Sequence, residues 1–295
     1  MPDRPRNREK GATMLFERIL IPLDGSPVSE AVLSQVERIV RRTDSELVLL
    51  RAAPKGVYPY ADLPVTLERE VEEAKAYVQQ IGSRLSEQGA RARGIVRDGS
   101  PAGAILDLAQ QENITLIAMA THGRTGLSRW VFGSVAEKVL RASPVPLLLL
   151  RSFVADSART SATPLAIRKI LVPVERFRLD ILPFVREFAQ LFGSRIVLLH
   201  VVEPGEDAAA RAEARREAES VGQRLQEDQI PTVILEREGP DPAQEILRAC
   251  QDEGAGMIAI TTHGRSGLTR WVLGSVAEKV LRSATVPLLI VRNPG

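Results

Sequence analysis

The residues best placed to do chemistry in this 295-residue chain lie in a glycine-spaced loop that occurs twice. Residues 121–141 read THGRTGLSRWVFGSVAEKVLR and residues 262–282 read THGRSGLTRWVLGSVAEKVLR, a constant offset of 141 with three of 21 positions changed. Gly123, Gly126 and Gly133 space the first copy, which ends in Ser134 at the expected start of a helix. Glycine permits positive φ and close backbone approach. A helix N-terminus offers unpaired N–H groups and partial positive charge. The Ser134 hydroxyl can donate to an oxygen, and Arg124 and Arg129 supply cations. This is anion-binding chemistry, with phosphate as the first candidate. The second copy repeats it with Gly264, Arg265, Gly274 and Ser275. No lysine follows a G-x4-G, so the loop is not a P-loop, and it is not the dinucleotide G-x-G-x-x-G. The plain alternative is a tight crossover whose glycines only let the chain turn.

The elements that must position this loop follow from the hydrophobic pattern. In the first half Arg18–Leu23, Glu46–Ala52, Ala92–Val96, Ile114–Ala120 and Val145–Leu150 read as strands. Ser26-Pro27 and Ser100-Pro101 read as helix caps with proline at the first helical position. Val28, Val32, Val36, Ile39 and Val40 share one helical face, as do Leu67, Val71, Ala74, Val78, Ile81 and Leu85. A helix is expected from about Ser134 to Ala142. The second half replays the order with strands Lys169–Val174, Arg195–Val201, Thr232–Glu236, Gly256–Ile260 and Val286–Val291, and with Asp241-Pro242 as the repeated cap. Its connection after the second strand is about eight residues shorter. Alternating, nearly all-apolar strands and amphipathic helices imply an α/β fold, a doubly wound parallel sheet with helices on both faces. Ligands of such sheets sit at the carboxyl ends of the strands. Asp24, Ala52 and the stretch from Ala120 to Gly123 should meet there.

Composition bounds the reading. The length and the repeat give two domains: residues 14–151 and 167–295, joined by a Ser/Ala/Thr-rich linker at 152–166 and preceded by a disordered leader at 1–13. A formal charge of +2 gives no global field for nucleic acid. The basic run Arg4, Arg6, Arg8 and Lys10 falls in the leader, and Met14 is a candidate start. There is no apolar stretch near 18 residues to span a membrane, and no signal-peptide pattern. One cysteine, Cys250, allows no internal disulfide and suits a reducing cytosol.

The motifs together resemble the universal stress protein family, as a tandem member. That family's nucleotide signature, G-x2-G-x9-G-[S/T], is matched by Ala120-x2-Gly123-x9-Gly133-Ser134 and by Thr261-x2-Gly264-x9-Gly274-Ser275. Its first strand ends in Pro-x-Asp, here Pro22-Leu23-Asp24, and its second strand is here Leu49-Leu50-Arg51-Ala52 and Leu198-Leu199-His200-Val201. The resemblance implies two five-stranded Rossmann-like domains of the adenine-nucleotide α-hydrolase-like type, related by a pseudo-two-fold axis. It implies ATP as ligand. Pro22, Leu23, Asp24 and Ala52 would hold base and ribose, and Met119, Ala120, Gly123, Arg124, Gly133, Ser134 and Val135 the phosphate end. Val201, Gly264, Arg265, Gly274, Ser275 and Val276 are their counterparts. Any Mg2+ would travel with the phosphates, since no metal-ligand spacing occurs among His, Cys, Asp and Glu. Two departures stand out: Ala120 and Thr261 replace the signature's first glycine, and Glu175-Arg176-Phe177 replaces Asp24-Gly25-Ser26. ATP is therefore expected to favour the first half.

The remaining residues read more plainly. His122 and His263 orient the loop or touch phosphate, His200 packs at a strand end, and Trp130 and Trp271 pack in an apolar turn. The expected function is a cytosolic nucleotide-binding stress or signalling protein, a built-in pseudo-dimer able to assemble further. The two fifth strands are edge strands with exposed ladder groups, so they are expected to pair, with the halves packing face to face through them. A pure interaction module without nucleotide is the alternative. A slow ATPase or adenylyl transferase ranks last, because no acidic metal cluster and no general base beyond Asp24 is evident.

Overall fold

The computed structural model describes residues 15–53, 63–121, 133–150, 167–174, 180–262 and 273–292. The leader, the linker, the glycine-rich stretches 122–132 and 263–272 and Glu175–Phe177 lie outside them. The first half runs β1 (Arg18–Pro22), α1 (Pro27–Val40), β2 (Glu46–Ala53), α2 (Leu63–Glu87), β3 (Arg91–Asp98), α3 (Pro101–Gln111), β4 (Leu116–Ala120), α4 (Ser134–Ala142) and β5 (Leu147–Leu150). The second repeats it as β6 (Lys169–Pro173), α5 (Leu182–Phe192), β7 (Arg195–Val202), α6 (Ala208–Glu227), β8 (Thr232–Glu238), α7 (Pro242–Asp252), β9 (Met257–Thr261), α8 (Ser275–Ser283) and β10 (Leu288–Val291).

The helix starts follow local chemistry. Ser26 is extended, and its Oγ accepts from the Ser29 N–H at 3.2 Å, with Pro27 opening α1. Ser100, Asp207 and Asp241 cap α3, α6 and α7 in the same way. Strand limits moved by a few residues. β3 extends to Asp98 because it pairs with β2 along its whole length while its outer side faces water, where Arg97 and Asp98 are tolerated. β5 begins late because the Ser143 hydroxyl donates to the Val145 carbonyl at 2.7 Å and holds a turn there.

All ten strands form one sheet, in the order β3-β2-β1-β4-β5-β10-β9-β6-β7-β8. Within each half every pairing is parallel. The halves join where β5 and β10 pair antiparallel, with Leu148 opposite Leu289. The expected pairing of the two fifth strands is thus seen, and only the face-to-face packing of the halves is corrected. The fifth strands meet edge to edge, because each has an unpaired ladder that only another strand can satisfy in a buried position. Helices α1, α2, α5 and α6 cover one face and α3, α4, α7 and α8 the other.

A second seam joins the halves on the α1/α5 face. The Leu15 N–H donates to the Glu187 carboxylate at 2.7 Å, and the Arg42 guanidinium donates to the Leu191 carbonyl at 2.7 Å. The Phe16 ring meets Phe188 edge-on at 4.8 Å and 79°. Burial raises the Glu187 carboxyl above its ordinary range, against the Leu15 hydrogen bond and the Arg186 charge. A carboxyl whose folded pKa lies above its unfolded one costs stability when ionised, and that cost fades as pH falls through the folded value. Glu187→Gln keeps an acceptor for Leu15 without the charge. Its stability relative to the parent, measured by urea unfolding, should therefore be most favourable at pH 7 and decline toward acid. A difference independent of pH would refute that account.

Candidate functional site

A cavity of about 430 Å³ opens at the carboxyl ends of β1, β2 and β4, where the strand order reverses between β1 and β4. That is the switch point at which doubly wound sheets take ligands. Of the residues singled out in the first half, Pro22, Leu23, Asp24, Ala52, Met119, Ala120, Gly133, Ser134 and Val135 all line it. Gly123 and Arg124 lie outside the described residues. Ala120, at the place of the signature's first glycine, is part of the wall.

Each wall has a local cause. β1 ends at Pro22, and Gly25 turns the chain with φ of 77°, which favours glycine. The Asp24 carboxylate accepts from the Ser26 N–H at 3.0 Å and from the Ser26 hydroxyl at 2.5 Å. The Asp24 N–H in turn donates to the Ser29 Oγ at 3.3 Å. The aspartate is therefore held by its own turn. The Thr121 N–H donates to the Leu150 carbonyl at 3.2 Å, and the Gly133 N–H donates to the Thr121 carbonyl at 3.0 Å. These bonds pin the start of α4 against the end of β4.

The α4 start has no side-chain cap, a feature it shares with α5 and α8. α1, α3, α6 and α7 each have a side chain capping their first amides, whereas α4 and α8 begin on Gly133 and Gly274 with no side-chain cap. Their first-turn N–H groups await an acceptor from elsewhere, and in α4 they border the cavity through Ser134, Val135 and Ala136. Gly133 has φ of −62° and Gly274 φ of −59°. Positive φ is thus not the reason for glycine at either place.

Sequence reasoning missed part of the wall. Ser29, Arg51, Pro101, Ile105 and Ala136 also line the cavity. Pro101 and Ile105 were legible only as a cap and a core position. Arg51 donates to the Leu23 carbonyl at 3.3 Å and lies 5.7 Å over the Tyr77 ring. Tyr77 donates to Glu30 at 2.9 Å. Burial and the Glu30 carboxylate push the tyrosine hydroxyl well above its ordinary value, so it stays a donor. This chain from α1 through α2 to β2 braces the β1 end of the cavity.

In the second half Val201 stands near the end of β7, and Gly274, Ser275 and Val276 form the start of α8. The Gly274 N–H donates to the Thr262 carbonyl at 2.9 Å, as in the first half. Gly264 and Arg265 lie outside the described residues, as do His122, His263, Trp130 and Trp271. His200, at the position of Arg51, is more deeply buried than its packing reading expected, at 6 % exposure. It sits 3.8 Å from Glu206 and 3.9 Å from Glu236. Cys250 is buried in α7, and desolvation raises its thiol to about 11.

The residues present fit an adenine nucleotide. Leu50, Ile105 and Met119 offer apolar surface to a base, Asp24 and Ser29 offer polar atoms to a ribose, and the α4 start offers donors to phosphate. No group of three His, Cys, Asp or Glu among the described residues could hold a metal ion. None of the described helices is long and apolar enough to cross a membrane.

Comparisons with known proteins agree with this architecture. The profile described as "Universal stress protein family" matches residues 15–151 and again 166–292. A universal stress protein of Mycolicibacterium smegmatis is 23% identical over 293 residues, covering 93% of this chain and 96% of that protein. One of Methanocaldococcus jannaschii is 30% identical over 143 residues, 46% of this chain and 83% of its own length. The crystal structure of a universal stress protein from Archaeoglobus fulgidus superposes with a TM-score of 0.74 at 22% identity, over 95% of this chain and 99% of that one. Matched twice along its length and alike in fold from end to end, the chain belongs to the universal stress protein family.

Proposed function

We propose that the first half binds an adenine nucleotide, ATP foremost, and that the chain serves as a cytosolic nucleotide-responsive stress or signalling protein. One observation carries this reading: the uncapped start of α4 opens into the switch-point cavity opposite Asp24. Phosphate would accept from the Ser134 and Val135 amides and the Ser134 hydroxyl, where the helix dipole favours negative charge. When bound, the nucleotide supplies a polyphosphate whose presence or loss can signal. The chain's own residues orient and bury it. The single cysteine of the sequence fits a reducing compartment.

Two measurements test the proposal. Protein purified without added ligand is denatured, and released nucleotide is identified by chromatography. Calorimetry then compares the parent with Asp24→Asn and Glu175→Gln. Losing the charge-assisted hydrogen bond that the Asp24 carboxylate would accept from a ribose hydroxyl should cost roughly 1.5–3 kcal/mol in the Asp24 variant. The Glu175 variant should bind nearly as the parent does. A larger loss from Glu175→Gln reverses the ranking of the halves. Absence of any nucleotide binding leaves the interaction module as the reading.

A further inference from the structure

We propose that Lys138 reads the outer phosphates of a nucleotide in the first half, and that Asp241 withdraws its counterpart Lys279 from the same task in the second. This rests on the nucleotide reading above and specifies which ligand charge the pocket selects.

The argument comes from comparing the two halves residue by residue. The 141-residue offset makes Lys138 in α4 equivalent to Lys279 in α8, and Ser100 equivalent to Asp241. In the second half the Lys279 ammonium donates to the Asp241 carboxylate, whose other oxygen accepts from the Gln244 N–H at 3.3 Å. The lysine thus spans from one helix to the N-cap of its neighbour. Its hydrogen bond is the chief reason the Asp241 carboxyl lies below its ordinary range. Both oxygens of that carboxylate are engaged, and so is the cation.

The first half has the same frame without the acid. Ser100 caps α3 with an uncharged hydroxyl, and the first turn of α3 carries no acidic residue. Glu137, beside the lysine, is engaged by Arg141 at 2.9 Å, just as Glu278 is by Arg282. Lys138 is exposed and makes no ion pair among the described residues. The start of α3, through Pro101 and Ile105, lines the same cavity as the start of α4. A lysine with the reach that Lys279 displays can span from α4 to Ser100 at the head of α3, and the heads of both helices border the cavity. In the second half Glu245 also enters the first turn of α7, but Arg248 answers it at 2.7 Å. Asp241 is left as the residue that decides the difference. A cation at a lip whose α3 cap carries no carboxylate selects for ligand charge beyond the first phosphate, where a base and ribose make no demand on it.

The test is titration of the full chain with ATP, AMP and adenosine. Lys138→Met keeps the apolar stem and removes the charge. Ser100→Asp keeps a good capping residue and installs the second half's latch. Each should weaken ATP by about ten-fold or more, the worth of one hydrogen bond to a charged group, with adenosine unchanged. The ATP loss should shrink at high salt. Asp241→Asn should strengthen ATP binding by the second half. Equal weakening of ATP and adenosine, or no change in either first-half variant, overturns the inference while the nucleotide reading stands. A parent chain that binds none of the three ligands overturns both.

Discussion

Replacing Phe188 with alanine is expected to lower the unfolding free energy by roughly 3–5 kcal/mol, the range for deleting a fully buried phenylalanine. Phe188 has no exposed surface, and its ring lies between Phe16 at 4.8 Å and Phe192 at 6.1 Å. Phe16 belongs to the first half and Phe188 to the second, so the cavity would open on the seam between them. Part of the loss exceeds simple burial, because the edge-to-face pair adds about 0.5–1.5 kcal/mol beyond its area. Against a total stability of about 5–15 kcal/mol this is a large fraction. Equilibrium urea unfolding followed by fluorescence and by circular dichroism checks it. A drop below about 1 kcal/mol, far under the expected range, would mean that the site collapses around the truncation and that the aromatic contact contributes little to joining the halves.

Replacing Gly133 with valine should abolish ATP binding by the first half, with at least a hundred-fold loss of affinity, about 2.8 kcal/mol at 1.4 per decade. The backbone there, φ −62° and ψ 140°, is one that valine adopts readily. The fold should survive with only a small change in melting temperature. The loss would come from the β-branched side chain standing where phosphate must approach the α4 amides. Ser134→Ala should be milder, removing one hydrogen bond to a charged group, about 1.5–3 kcal/mol. The order of severity is the content of the expectation. If the alanine variant proved as damaging as the valine one, the hydroxyl would be doing chemistry and an enzymatic reading would gain. If neither altered binding, ATP would not sit on this loop.

Much of this molecule is local in origin and was therefore legible. Ser26, Ser100 and Asp241 cap their helices through hydrogen bonds to amides three residues on, so the cap can be read from adjacent letters. The strands could be found because a buried parallel strand must be apolar on both faces, as Leu47–Leu50 and Leu116–Met119 are. The doubled loop fixed the number of halves, and the switch-point rule brought Asp24, Ala52 and Ala120 to one cavity.

What the sequence could not specify depends on residues far apart in the chain. The unpaired ladders of Leu147–Leu150 and Leu288–Val291 called for each other, but apolar periodicity carries neither direction nor register, and only tertiary structure joined them antiparallel with Leu148 opposite Leu289. The Phe16–Phe188 contact and the Leu15–Glu187 bond link positions 172 apart, and neither residue type announces the other. Arg51 reads as a polar interruption of a strand until Tyr77 and Glu30 are brought to it from two helices. The contrast between Asp241 and Ser100 was visible as letters, yet it gains meaning only because α7 and α8 pack closely enough for Lys279 to cross between them. Local propensity and pattern determine which surfaces must be buried, while the closure of long loops decides which of those surfaces meet.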